Sequence, residues 1–129
     1  MSGYLLDTHL LLWAGVGSDR LPRTTRALLE DPAADVRFSV VSLWELVIKL
    51  QLGRTDFQID PDALRAHARL AGLVEVAIEG EHVLGVGRLP PLHRDPFDRL
   101  LVAQARQEEA TLLTVDEQVL AYGAGVERA

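Results

Sequence analysis

A chain of 129 residues can bury an ordinary core as one domain, expected here to span residues 1–129, and its lack of cysteine excludes disulfides, thiolate nucleophiles and cysteine-ligated zinc or iron–sulfur sites. The formal net charge of −6 argues at first sight against a nucleic-acid partner. That exclusion does not hold, because twelve of the thirteen basic residues are arginines, suited to bidentate phosphate contacts, and acids collected around cations would leave the remaining surface locally basic.

The opening segment MSGYLLDTHLLLW has no basic residues ahead of its apolar ones, and Asp7 and His9 interrupt them. Neither a signal peptide nor a membrane span is expected, and a soluble cytoplasmic protein is. The spacing predicts a strand over 3–6 (GYLL) and a helix from Thr8 to Ala14. A second helix follows Pro22 in PRTTRALLED and is closed by Pro32. A strand over 36–39 (VRFS) leads into the apolar helix VSLWELVIKLQL, ended by Gly53. After the loop RTDFQID, Asp60 and Pro61 start a helix that Gly72 stops. A strand over 74–78 (VEVAI), a helix over 80–88 and the turn RLPPLHRD bring the chain to HRDPFDRLLVAQA. There Asp95 caps and Pro96 opens a helix running to Ala110, because an aspartate accepts exposed backbone N–H groups and proline at the first helical position loses nothing by lacking its own. The strand TLLT (111–114), the helix EQVLAYG and an edge strand at VERA complete the chain. Strands separated by helical connections imply an α/β fold of three layers, α/β/α, around a central parallel sheet of four to five strands.

In such sheets ligands bind beyond the carboxyl ends of the strands. Four acids fall there: Asp7 directly after the first strand, Glu45 early in the helix after VRFS, Asp98 in the first turn of its helix, and Asp116 two residues after TLLT. Each also has a structural reading. Asp7 and Asp116 can cap helices, Ser42-x-x-Glu45 matches a capping box, Glu45 can pair with Lys49, and Asp98 can sit favourably on the helix dipole. Caps occur on any edge of a domain, whereas these four share one edge. Asp98 further projects between Val102 and Ala105 toward the packed side, while Arg99 and Arg106 fall on the wet side. A carboxylate at a buried face needs a partner, and carboxylates packed together need cations between them. Mg2+ or Mn2+ is that partner, since both favour a few carboxylates together with substrate phosphate and serve phosphoryl transfer.

Hydroxyls recur beside the acids, Thr8 after Asp7, Ser42 before Glu45 and Thr114 before Asp116, and can orient carboxylates or hold water. Arg54, Arg88, Arg94 and Arg99 are candidates to meet a phosphate backbone. His9, His67, His82 and His93 lack zinc-type spacing and are expected to be structural or on the surface. No G-x-S-x-G elbow and no P-loop occur. A receiver-like Mg2+-binding signalling domain would need a paired acid at the first strand and a lysine after the last core strand. Asp7 stands alone and the only lysine, Lys49, is in a helix.

LLDTHLLLW, SLWELVIK, PPLHRDPFDRLLVAQA and LLTVD, in this order, resemble the PIN-domain proteins, specifically VapC-type toxins of type II toxin–antitoxin (VapBC) systems. The resemblance covers almost the whole chain. It implies a Mg2+- or Mn2+-dependent endoribonuclease in which Asp7 and Asp98 are the principal metal ligands, Glu45 assists directly or through water, and Asp116 completes the set. RNA phosphodiesters would be hydrolysed by metal-activated water, leaving a 5′-phosphate and a 3′-hydroxyl. It also implies a homodimer and a cognate VapB-type antitoxin as partner; the alternative is a catalytically inactive binding protein of the same fold. The apolar helix around Trp44 is a candidate surface for one of those contacts.

Overall fold

Five short runs, YLL, VRFS, VEV, TLLT and VER, become strands in the computed structural model, which describes residues 3–53 and 58–129. They are β1 (Tyr4–Leu6), β2 (Val36–Ser39), β3 (Val74–Val76), β4 (Thr111–Thr114) and β5 (Val126–Arg128). Every pairing is parallel, in the order β3-β2-β1-β4-β5. Parallel neighbours need crossovers, and the helices supply them. These are α1 (Thr8–Val16), α2 (Arg23–Glu30), α3 (Val40–Gln51), α4 (Pro61–Leu70), α5 (Gly80–Val86), α6 (Pro96–Gln107) and α7 (Glu117–Leu120).

Alternation along the strands sends side chains to both faces of the sheet. Leu5 and Leu112 pack with Leu100, Leu101, Val102 and Ala105 of α6 and with Val119 and Tyr122, whereas Leu6, Val36 and Leu113 pack with Leu10 of α1 and Leu21. Phe38 joins Leu11, Leu46, Leu64 and Ala68, which ties α1, α3 and α4 together. A Cβ at Gly15 would collide with Leu64, so glycine lets α1 and α4 cross closely. The result is the expected three-layer arrangement.

Because the strands are parallel, their carboxyl ends share one edge, where Asp7 follows β1, β2 ends at Ser39 and β4 at Thr114. The helix α6 feeds back to the start of β4, so its own N-terminus lies at that same edge. Asp95 caps α6 as expected, its Oδ1 accepting from the N–H groups of Phe97 at 2.8 Å and Asp98 at 3.1 Å.

Several expectations shift. The helix α6 ends at Gln107 and not Ala110, because Glu109 adopts a left-handed φ of 54° and the Ala110 N–H reaches back to Ala105 O. The helix α1 continues two residues past Ala14, to Val16, until Gly17 takes a left-handed φ of 66°. The strand β3 stops at Val76, and the next carbonyl, that of Ala77, instead accepts from Gln104 Nε2 at 3.2 Å. Ser42 is not the cap of α3: Ser39 caps it, its Oγ accepting from Val41 N–H at 2.9 Å, which leaves Ser42 and Glu45 buried inside the helix. Arg99 is not on the wet side. Its Nη2 donates to the carbonyls of Val86 at 3.2 Å and Leu89 at 3.4 Å, because α5 covers the face that a lone helix would expose. Residues 54–57 of the expected loop, and with them Arg54, lie outside the described residues.

Candidate metal centre

Asp7 leaves β1 and turns into α1. Its Oδ1 accepts from Leu10 N–H at 2.9 Å, so it is the helix cap, and its Oδ2 accepts from the Thr114 hydroxyl at 2.5 Å. Only 4% of it is exposed. Burial pushes its carboxyl above the ordinary range, and Glu45 adds to the rise, while Thr114, Leu10 and His9 oppose it. Capping and site membership are therefore compatible in one residue. Thr114 links two acids, since its Oγ1 also accepts from the Asp116 N–H at 3.1 Å.

Asp116 follows two residues later and caps α7, accepting from Gln118 N–H at 2.8 Å. Asp98, in the first turn of α6, turns into the same space and is pushed up to about 6, first by burial, then by Asp95 and Glu45, against the opposing effect of His93. His93 Nε2 lies 2.8 Å from Asp98 Oδ2. Donor atoms of His93, Asp98 and Asp116 all fall within 4.8 Å of one another, and all three residues are half-buried.

Glu45 is buried at 2% exposure and held from two sides. The Thr8 hydroxyl donates to Oε1 at 2.7 Å, with Ser42 Oγ 2.9 Å from Thr8 Oγ1, and Lys49 Nζ lies 2.5 Å from Oε2. Thr8 and Ser42 thus orient Glu45, and Thr114 orients Asp7. The expected ion pair with Lys49 is present.

The structure thus brings Asp98 and Asp116 together with His93, and sets Asp7 and Glu45 beside them through Thr114 and Thr8. Asp7 and Glu45 do not belong to the group of three. His93 is the residue that sequence reasoning passed over. Its signal was its place two residues ahead of the Asp95 cap, where the entering chain must pass close to the first turn of the helix.

The donor set fits a hard divalent cation. Carboxylate oxygens predominate, the acids are partly withdrawn from water, and burial, with neighbouring carboxylates adding to it, raises the pKa of Asp7 and Asp98 above that of a free carboxylate.

A family model described as "PIN domain" matches residues 4–124. The chain belongs to the PIN-domain family. Membership removes the receiver-like alternative. Among solved structures, PIN-fold resemblance extends to DNA-bound VapBC from Salmonella typhimurium, at 14% identity and a TM-score of 0.70, covering 100% of this chain and 98% of that one. VapBC2 from Rickettsia felis, bound to a promoter DNA fragment, is 18% identical, with a TM-score of 0.68 and 97% of each chain covered. A toxin–antitoxin complex from Klebsiella pneumoniae is 17% identical, with a TM-score of 0.66, covering 97% of this chain and 96% of that one. At these identities the likeness is one of fold. No curated protein matches the chain by sequence. Among the described residues no helix is long and apolar enough to cross a membrane.

Proposed function

We propose that this PIN-domain protein is a Mg2+- or Mn2+-dependent endoribonuclease acting as the toxin of a toxin–antitoxin pair. The observation that carries the catalytic half is the convergence of Asp98, Asp116 and His93 within 4.8 Å, beside a buried Asp7. When bound, a divalent cation lowers the pKa of its water and offsets charge at a scissile phosphate. In this reading Asp98 would be a principal ligand of the cation and Asp116 would complete the set. Asp7, fixed just after β1 by Thr114 and the Leu10 amide, would be the other principal ligand. Glu45 acts directly or through water, kept in place by Thr8 and Lys49. Arg99 is occupied with the carbonyls of Val86 and Leu89, so contact with the RNA backbone falls to exposed arginines such as Arg94.

The toxin half rests on the company the fold keeps. The matched structures are VapBC and toxin–antitoxin complexes, which favours a cognate VapB-type antitoxin as partner. A homodimer is part of the same proposal, with the outer face of α3 as one contact surface, because Trp44 is 48% exposed and Val47 40%.

The test is to express the chain alone and together with the protein of the neighbouring reading frame, and to map RNA ends in arrested cells. Growth arrest relieved by the neighbour, with new 5′-phosphate ends, is the expected result. Neither arrest nor cleavage in Mn2+ would instead support a catalytically inactive binding protein.

A further inference from the structure

His93 has two readings at the atomic level. Its closeness to Asp98 and Asp116 would let it serve as a third ligand. A ligand nitrogen, however, must offer its lone pair to the cation. The Arg94 backbone N–H donates to His93 Nδ1 at 3.1 Å, so Nδ1 carries the lone pair and Nε2 the proton, an assignment that follows from the ring's two partners. Nε2 is the nitrogen that faces the acids, 2.8 Å from Asp98 Oδ2.

We infer that His93 is a positioning residue, whose Nε2–H holds one oxygen of Asp98 so that the other is presented to the cation. The inference rests on the metal-centre reading given above. Among the described residues, no hydrogen bond reaches Asp98 Oδ1, which leaves that oxygen for coordination. The pair is largely withdrawn from water, with side-chain exposures of 12% for His93 and 18% for Asp98, so solvent does not readily replace the bond. Its geometry is set locally. The Asp95 cap ties down Phe97 and Asp98, Pro96 fixes the first helical turn, and the ring is anchored at its far nitrogen by the next residue's amide. Partners that orient ligands in this way typically change metal affinity about 10–100-fold when removed.

The test uses the full chain and calorimetric titration with Mn2+ alone, comparing wild type with His93→Ala and His93→Gln. The glutamine amide can donate to Asp98 in place of the imidazole. Weaker Mn2+ binding by His93→Ala, about 10–100-fold, with recovery in His93→Gln and an unchanged unfolding midpoint in EDTA, is the expected result. If His93→Ala fails to fold, His93→Phe keeps the ring volume without the donor and takes its place. Wild-type affinity in the donor-less variant would overturn the inference alone. Loss in His93→Gln equal to that in His93→Ala would overturn it in favour of direct ligation. Absence of Mn2+ binding by the wild type would overturn the metal-centre reading itself, and this inference with it.

Discussion

Two histidine–carboxylate pairs in this molecule are built alike and surrounded differently. His82 Nδ1 accepts from the Glu79 N–H at 3.0 Å and its Nε2 faces Glu108 Oε2 at 3.1 Å. His93 repeats the arrangement with Arg94 N–H at 3.1 Å and Asp98 Oδ2 at 2.8 Å. The first pair adjoins neutral polar groups, with Gln104 Nε2 3.4 Å from His82 Nδ1. Buried Gln104 donates to Ala77 O at 3.2 Å, its Oε1 accepts from Ser39 Oγ at 2.5 Å, and Glu108 opens to solvent. The second pair meets further acids, Asp116 close by, with Asp95 and Glu45 both raising the pKa of Asp98. The pair alone therefore does not mark a functional site. What distinguishes the second region is a largely buried carboxylate set among further acids, where burial first and like charge after it raise the pKa, an arrangement that costs stability unless a cation is bound.

Substitutions should separate the two regions. The largest effect is expected from Asp98→Asn, which should reduce RNA cleavage at least about a hundredfold, beyond the loss typical of residues that only orient ligands, while the unfolding midpoint in EDTA stays level or rises because a buried charge is gone. Cleavage rates and melting curves on the same preparation check both halves. Gln104→Leu should do the reverse. It leaves the Ser39 hydroxyl and the Ala77 carbonyl without their partner, costing about 1–3 kcal/mol in urea unfolding, with cleavage per folded molecule retained.

The pH dependence follows from the sign of the shifts. Asp98 is pushed up to about 6, so the folded state holds that proton more tightly than the unfolded chain does. Its contribution to cation-free stability is fully present below the ordinary carboxylate value of 3.8, declines as pH rises to about 6, and is gone above that. Asp7 acts in the same direction. Melting curves in EDTA between these limits should show the decline more strongly in wild type than in Asp98→Asn, and added Mn2+ should stabilise increasingly with pH because it competes with protons. The smallest effect belongs to Asp95→Ala. Loss of the cap of α6 should cost about 1 kcal/mol in urea unfolding, and asparagine at that position should restore it.

What could be read in advance was what local chemistry decides. Asp95-Pro96 and Asp60-Pro61 announce helix starts whatever surrounds them, and alternating strands and helices leave a parallel sheet as the economical arrangement. The shared edge for Asp7, Glu45, Asp98 and Asp116 followed from that topology. The misreadings fall where a third element decides. Arg99 lies on the polar side of an isolated helix, yet α5 covers that side and supplies carbonyls. Ser42-x-x-Glu45 has the pattern of a capping box, but β2 runs straight into α3 and Ser39 is the residue at the junction. His93 was hidden for a related reason, since its closeness to Asp98 depends on how the segment entering α6 lies against the first turn of that helix.

The most direct test of the central claim is cleavage of an end-labelled single-stranded RNA by purified protein, with EDTA and then with Mn2+ restored, for wild type, Asp98→Asn and Gln104→Leu side by side. The account predicts that EDTA stops wild-type cleavage, that Mn2+ restores it in wild type and Gln104→Leu, and that Asp98→Asn stays inactive. Cleavage that persists in EDTA, or an Asp98→Asn variant as active as wild type, would contradict it.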